Sequence, residues 1–187
     1  MVIFVVAIVV AGYFVWRADH VKLIPYFKIS QYLLEPYYTR DPQWEKKVFV
    51  QVVPECLTEA KIHGCMGYLL SIHRRASRED EWTATNLSEP WPLVWSRYQA
   101  APLTLEPRIA QRLNLCWIGN HERRIYPCVA LEPQPTIAVS LDVPMFRFDI
   151  HVSADDGAPV DVSVLLLIGE EWDHPQIEII PRGAVRQ

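Results

Sequence analysis

FRFDIHVS, residues 146–153, is the stretch of sequence that decides the fold. Its apolar side chains occupy the even positions from Phe146 to Val152, and its polar side chains occupy the odd positions. Successive side chains of a β-strand point to opposite sides of the sheet, so this alternation predicts a strand with one buried and one solvated face. Strands of this kind are typical of antiparallel sheets.

A second strand is predicted directly after it at Val160–Ile168, sequence VDVSVLLLI. Its first half alternates in the same way, whereas its second half is wholly apolar, as in a strand that becomes covered on both faces. The link over residues 154–159, ADDGAP, combines turn-forming residues with a glycine available for positive φ. The two strands are therefore predicted to form an antiparallel hairpin.

The rest of the chain also has the composition of a β protein. Its 187 residues include 15 Pro and 7 Gly, and 50% of them are hydrophobic, which favours many chain reversals and few long helices. Short apolar runs between Pro and polar clusters predict further strands at Gln31–Tyr37, Lys47–Val53, Ile62–His73, Pro92–Arg97, Arg112–Ile118, Ile125–Leu131, Thr136–Leu141 and Gln176–Ile180. The predicted fold is mainly β, an antiparallel β-sandwich over residues 31–180, followed by a polar tail over residues 181–187.

The N-terminal run, residues 1–16, contains no charged side chain. A helix of this length rises about 24 Å against a hydrocarbon core of roughly 30 Å, and local thinning with aromatic and basic residues at the interface accommodates the deficit. We predict a single transmembrane helix over residues 1–17 and a juxtamembrane linker over residues 18–30. The residues predicted to contact lipid are Val2, Ile3, Phe4, Val5, Val6, Ile8, Val9, Val10, Tyr13, Phe14, Val15 and Trp16.

Two other interpretations of this run stay open: a cleaved signal peptide, and a buried strand or helix of a soluble domain. A signal peptide has a basic start and a small-residue cleavage site, and nothing basic precedes this run, which ends in Trp16 and Arg17. Arg17, Lys22 and Lys28 follow the run. The positive-inside tendency then predicts a single-pass membrane protein with its globular domain in the cytoplasm.

Three stretches occur in an order that resembles a group of short bacterial and phage proteins of unknown function. They are Ile62–Leu69, which contains Cys65, then Pro92–Ser96, and then Phe146–Ile168. Proteins of that group pair an N-terminal membrane helix with an immunoglobulin-like β-sandwich. The resemblance implies an anchored immunoglobulin-like fold and implies no activity.

The four cysteines are Cys56, Cys65, Cys116 and Cys128, and their spacing lacks the C-x-x-C knuckle of zinc ribbons. A zinc site with His63 or His121 is one alternative. Cys116 and Cys128 flank a predicted hairpin tip at residues 119–124, where a disulfide can form in an oxidising compartment. In the cytoplasm we expect free buried thiols instead.

Four other groups of residues have both a functional and a structural interpretation. The acidic segment Glu170–His174 and the pair Asp155–Asp156 suit either a hard cation or a solvated turn. The mixed-charge run Arg74–Glu81 suits either anionic lipid headgroups or an exposed loop. Seven tryptophans, with three of them close together, suit either core packing or a ligand platform; the three are Trp82, Trp91 and Trp95.

No feature of the sequence indicates a cofactor, a metal or nucleic acid. The net charge is -4, and the chain has none of the local motifs of serine hydrolases, zinc peptidases or nucleotide-binding enzymes. We therefore expect a non-enzymatic module that contacts a protein near the membrane through its loops or edge strands. One alternative is a small hydrolytic or metal-dependent enzyme using His63, His73, His121 or the Glu170–His174 cluster. The other is a soluble sandwich with residues 1–16 as a core strand.

Overall fold

A computed structural model describes residues 27–37, 46–85, 87, 89–96, 101–119, 124–131, 139–140 and 145–182. All regular secondary structure in these residues is β-strand, and every strand pair is antiparallel, as predicted. The strands are β1 (Phe27–Tyr37), β2 (Lys47–Cys56), β3 (Ile62–Arg75), β4 (Thr83–Thr85), β5 (Trp91–Pro92), β6 (Leu103–Leu105), β7 (Leu113–Gly119), β8 (Arg124–Pro127), β9 (Val139–Ser140), β10 (Met145–Ser153), β11 (Val160–Leu167) and β12 (Gln176–Pro181).

The strands form two sheets. The first sheet has the order β1-β2-β7-β8-β9, and the second has the order β12-β11-β10-β3-β4, with β5 and β6 also paired to β3. The predicted hairpin is β10–β11, whose register runs from Met145 opposite Leu167 to Val152 opposite Val160. The hairpin was predictable because the alternation and the turn chemistry that specify it are both local.

One hydrophobic core lies between the two sheets. Val50 and Ile118 of the first sheet and Phe146 and Phe148 of the second belong to the same buried cluster. The even-numbered side chains of β10, from Phe146 to Val152, are all 0% exposed, so the predicted buried face is confirmed. Burial of a large apolar side chain contributes roughly 1.5–3 kcal/mol, which makes this face a principal stabilising element.

The segment 91–96 crosses from one sheet to the other. Trp91 and Pro92 pair with β3, and the Leu93 amide donates to the Gly67 carbonyl at 2.9 Å. The Asn114 amide of β7 then donates to the Val94 carbonyl, also at 2.9 Å. The strand predicted at Pro92–Arg97 is therefore shared between the two sheets rather than belonging to one of them.

Several strand ends differ from the prediction. β1 begins at Phe27 instead of Gln31, because Phe27 and Ile29 are buried and a bulge after Ile29 interrupts the alternation. The last part of the predicted linker is thus in the first sheet. The short strands β4 and β6 were not predicted, and most of the strand predicted at Thr136–Leu141 lies outside the described residues.

The predicted anchor, residues 1–17, lies outside the described residues, as does most of the polar tail. Among the residues that the structure describes, no helix is long and apolar enough to cross a bilayer.

Candidate functional site

A cavity of about 650 Å³ opens on the outer face of the first sheet beside β1. Val50 and Val52 of β2 point into the core, so Phe49 and Gln51, on either side of Val50 in the strand, face outward and form part of the cavity floor. We call this cavity the amide cleft. Its described lining residues are Glu35, Tyr37, Phe49, Gln51, Ser96, Leu103, Ile109, Ala110, Gln111, Arg112 and Asn114.

Two buried amides form the polar floor of the amide cleft. Gln51 and Asn114 are 2% and 4% exposed, and a bulge in the pairing of β2 with β7 places them opposite each other. Gln51 Nε2 donates to Asn114 Oδ1 at 2.7 Å, and Asn114 Nδ2 donates to the Trp95 carbonyl at 3.4 Å. Gln51 Oε1 has no hydrogen-bond partner among the described residues. A buried unpaired acceptor costs about 1–3 kcal/mol, so a ligand that donates to this oxygen gains by satisfying it.

The rim of the amide cleft combines exposed apolar groups with an ion pair. Tyr37 and Ile109 are 54% and 51% exposed, and Tyr37 stands edge-on to Phe49 at a centroid distance of 6.3 Å. Arg112 Nη1 lies 3.4 Å from Glu35 Oε2. Exposed large apolar side chains around a concave polar floor are typical of recognition sites.

The turn that precedes Ile109 has strained backbone. Arg108 has a φ of 64°, in the left-handed region that residues with a Cβ rarely adopt. Such a conformation costs on the order of 1 kcal/mol and is concentrated at ligand-contacting segments of proteins. The strained residue Arg108 directly precedes Ile109, which belongs to the rim of the amide cleft.

β1 forms one edge of the first sheet. Its 11 residues pair with β2, and within the described residues no strand pairs with its other side. Two aromatic rings of β1 are exposed to solvent: Tyr32 is 44% exposed and Tyr37 is 54% exposed. Unpaired backbone groups along such an edge can accept an added strand. The amide cleft adjoins this edge, because Glu35 and Tyr37 belong to both.

A buried carboxylate lies on the outer face of the second sheet. Asp149 is 1% exposed, and it accepts hydrogen bonds from Ser163 Oγ at 2.6 Å and from Ser71 Oγ at 2.8 Å. Arg182 and Arg147 pair with it at 3.1 and 3.4 Å. Burial raises the pKa of Asp149, but the two hydroxyl hydrogen bonds and the two guanidinium charges outweigh burial and hold that pKa below its ordinary value.

His73 brings the residue types of a Ser-His-Asp triad together without the geometry of one. Its Nε2 lies 2.9 Å from Ser71 Oγ and 3.2 Å from Asp149 Oδ2, whereas a catalytic histidine contacts serine and carboxylate through opposite ring nitrogens. The Ser71 hydroxyl donates to Asp149 Oδ2. Burial, and then the charge of Arg147, lower the pKa of His73. The contacts of this group are those of a structural network.

The four cysteines are free thiols. Cys116 belongs to the main core, whereas Cys128 packs in a second cluster with Phe49 and Val94. Burial raises the pKa of Cys128 to about 12 and that of Cys65 to about 11, which is expected of thiols that act as small apolar residues. The Cys116–Cys128 disulfide stays a prediction for an oxidising compartment.

The predicted metal ligands are dispersed or engaged in structural contacts. Among the described residues, no group of three or more His, Cys, Asp and Glu side chains is placed to hold an ion, and His121 lies outside them. Asp173 of the acidic segment forms an ion pair with Lys46, which links the β11–β12 loop to the start of β2, and the hydrogen bond from Lys46 lowers the pKa of Asp173. Asp156 Oδ2 accepts from the His63 amide at 3.1 Å.

The clustered tryptophans have two different environments. Trp91 and Trp95 are 9% and 1% exposed and belong to the core, as expected for packing. Trp82 lies on the outer face of the second sheet, with the Arg75 guanidinium 4.3 Å and the Arg147 guanidinium 5.2 Å from its ring centroid. Arg75 of the predicted mixed-charge loop is thus held against an aromatic ring.

Sequence reasoning did not find the amide cleft or the network around Asp149. The partners are distant in the chain: Gln51 and Asn114 are 63 positions apart, and Ser71 and Asp149 are 78 positions apart. The alternation of β10 did place Asp149 on the polar face, and that was the available signal.

No family model matches the chain, and no curated protein or solved structure is significantly similar to it.

Proposed function

We propose that this chain is a single-pass membrane protein whose immunoglobulin-like β-sandwich is a non-enzymatic protein-interaction module in the cytoplasm. The apolar run at residues 1–16 supports the anchor, and the basic residues that follow it support the orientation. Two antiparallel sheets around one core, with the β10–β11 hairpin in one of them, support the immunoglobulin-like class.

The observation that carries the proposal is the edge strand β1 with the amide cleft beside it. An extended segment of a partner protein adds to the open edge of β1 through backbone hydrogen bonds, and one of its side chains enters the cleft. The unpaired Gln51 Oε1, buried at the floor of the cleft, favours a side chain that presents a hydrogen-bond donor, such as an amide or hydroxyl. The exposed rings of Tyr32 and Tyr37 supply apolar contact area on the same strand.

The position of β1 in the chain suits a partner held near the membrane. β1 begins at Phe27, soon after the predicted anchor, and Tyr37 lies roughly 33 Å further along the strand. The Tyr37 end of β1 is then the end away from the bilayer. A cytoplasmic partner reaches it without contact with the headgroups.

Photocrosslinking in native membranes tests this contact surface. A benzophenone amino acid replaces Tyr37 in the full-length chain, and the matched control replaces Leu57, which is 52% exposed in the turn after β2. We expect a discrete protein adduct from position 37 and none from position 57. The absence of an adduct at position 37, or the same adduct from both positions, contradicts the proposed surface.

Fractionation and protease treatment test the anchor and the orientation separately. We expect the full-length chain to pellet with membranes and its domain to resist protease added to intact cells or spheroplasts. Digestion from outside contradicts the orientation and places the cysteines in an oxidising compartment. A soluble full-length chain contradicts the anchor and favours a sandwich that includes residues 1–16.

A further inference from the structure

A second cleft, of about 460 Å³, lies on the outer face of the second sheet. Strand register places Arg75, Met145, Leu167 and Gln176 on one line across β3, β10, β11 and β12. The loop after β3 and Trp82 form the wall at the β3 end. We call this the arginine cleft, and it is on the opposite sheet from the amide cleft.

The wall of the arginine cleft carries two cations without carboxylate partners. Among the described residues, neither Arg75 nor Arg78 takes part in an ion pair, although both line the cleft. Arg75 Nη1 donates to the Arg78 carbonyl at 3.0 Å, and its guanidinium stacks on Trp82. These contacts fix the orientation of the Arg75 guanidinium and leave its charge unneutralised, which is the arrangement that binds an oxyanion.

The floor of the arginine cleft is apolar. Met145, Leu165 and Leu167 are on the outer face of the sheet, and each is partly exposed there. Leu165 and Leu167 belong to the wholly apolar run of β11 that predicted coverage on both faces. The remaining exposed apolar area favours an occupant with a hydrocarbon body.

The far end of the arginine cleft carries a negative charge. Glu178 of β12 lines it there, three strand spacings of about 4.8 Å, or roughly 14 Å, from the line of β3. A second negative charge on the occupant is therefore unfavourable at that end. The cleft is complementary to a molecule with one anionic end.

We propose that the arginine cleft binds a small monocarboxylate with an apolar body. The carboxylate accepts hydrogen bonds from Arg75 and Arg78, and the apolar body lies against Trp82, Met145 and Leu167. Binding involves no covalent step. The site is distinct from the proposed protein contact at β1, because the two lie on different sheets, although β12, which lines this cleft, lies beside β1.

The test compares 3-phenylpropionate with its neutral analogue 3-phenylpropionamide. The full-length chain is incorporated in nanodiscs of neutral phosphatidylcholine, and ligand-observed NMR, corrected with empty nanodiscs, gives both Kd values. We expect the carboxylate to bind at least tenfold more tightly than the amide, since one charge-assisted contact is roughly twice as strong as a neutral one. Equal affinities, or no binding of the carboxylate at millimolar concentration, overturn the proposal.

Two variants and a control locate the site. Arg75→Met and Arg78→Met are each expected to weaken 3-phenylpropionate binding about tenfold and to leave the weak amide binding unchanged. Arg78→Met keeps the Trp82 stack of Arg75, so it reports on the charge even if Arg75→Met disturbs the fold. The matched control is Arg108→Met, because the Arg108 side chain is 84% exposed and pairs with Glu59 outside the cleft. Unchanged binding in both cleft variants, or the same loss in the control, overturns the assignment.

Discussion

Gln51 donates a hydrogen bond to Asn114 across β2 and β7 at 2.7 Å, yet the carbonyl oxygen of the same Gln51 amide has no partner among the described residues. The hydrogen bond between the two buried amides contributes to the register of β2 with β7, and the unpaired oxygen is an acceptor that a ligand can use. The amide cleft is for this reason part of the sheet and also the recognition site that we propose.

The amide pair is expected to be energetically coupled. Asn114→Ala leaves Gln51 Nε2 unpaired as well, and should lower the free energy of unfolding by about 1–3 kcal/mol. The double variant Gln51→Leu/Asn114→Leu should cost less than the sum of the two single leucine variants, because it removes both partners together. Denaturant unfolding of the four proteins measures the coupling. Additive losses would show that the two amides do not interact.

Asp149 is expected to make stability depend on acid pH. Asp149→Asn should lower the free energy of unfolding by about 2 kcal/mol at pH 7, less than for a fully buried pair, because Arg147 and Arg182 are 26% and 44% exposed. The folded pKa lies below the ordinary value of 3.8. The contribution is therefore complete above pH 3.8 and is lost as the pH falls through the lower folded pKa.

Unfolding measured between pH 7 and pH 2 should thus show the wild-type and Asp149→Asn curves converging only below pH 3.8. Glu178→Gln, an exposed carboxylate of β12, is the isosteric control and should leave the curve unchanged. Convergence at a higher pH would assign the effect to another group.

His73 is expected to stay neutral at pH values where a free histidine is charged. Burial and Arg147 lower its pKa below 6.5, whereas Asp149 raises it. As the pH falls, this histidine is protonated in the unfolded chain before it is protonated in the folded chain. The contribution of neutral His73 to the free energy of unfolding is therefore present above pH 6.5 and decreases as the pH falls towards the folded pKa. NMR titration, with His73→Gln for assignment, measures the folded value, which should fall further in Asp149→Asn. A rise in that variant would contradict the network.

Cys56 is expected to be the first thiol to react. It is partly exposed, whereas Cys65, Cys116 and Cys128 are buried, and burial raises the pKa of all four thiols. Mass spectrometry after iodoacetamide treatment at pH 8 should find one slow adduct, absent in Cys56→Ser and retained in Cys65→Ser. Labelling of the other three should require denaturant. Rapid native labelling of Cys116 or Cys128 would contradict their burial.

The predictable parts of the fold are those that local sequence specifies. The β10–β11 hairpin follows from alternation at Phe146–Val152 and from the Asp-Gly turn that precedes Val160. The predicted start of β1 was wrong by four residues, because the bulge between Ile29 and Gln31 shifts the register and interrupts the alternation of apolar and polar residues.

The candidate sites could not be predicted because they depend on which strands are neighbours. Asp149 meets Ser71 only because β10 pairs with β3, and Gln51 meets Asn114 only because β2 pairs with β7. Periodicity gives the face on which a side chain lies and does not give its cross-strand partner. Arg75 on Trp82 depends in the same way on the path of the loop after β3.

Hydrogen exchange along β1 tests the proposed interaction most directly. Amide exchange of residues 31–37 is measured by mass spectrometry for the full-length chain in native membranes and for the chain purified in detergent. The short strand β4, residues 83–85, is the internal control, because it lies at the edge of the second sheet away from β1. Strand addition predicts slower exchange in membranes at residues 31–37 and unchanged exchange at 83–85. Equal exchange of β1 in both preparations would contradict the addition of a partner strand.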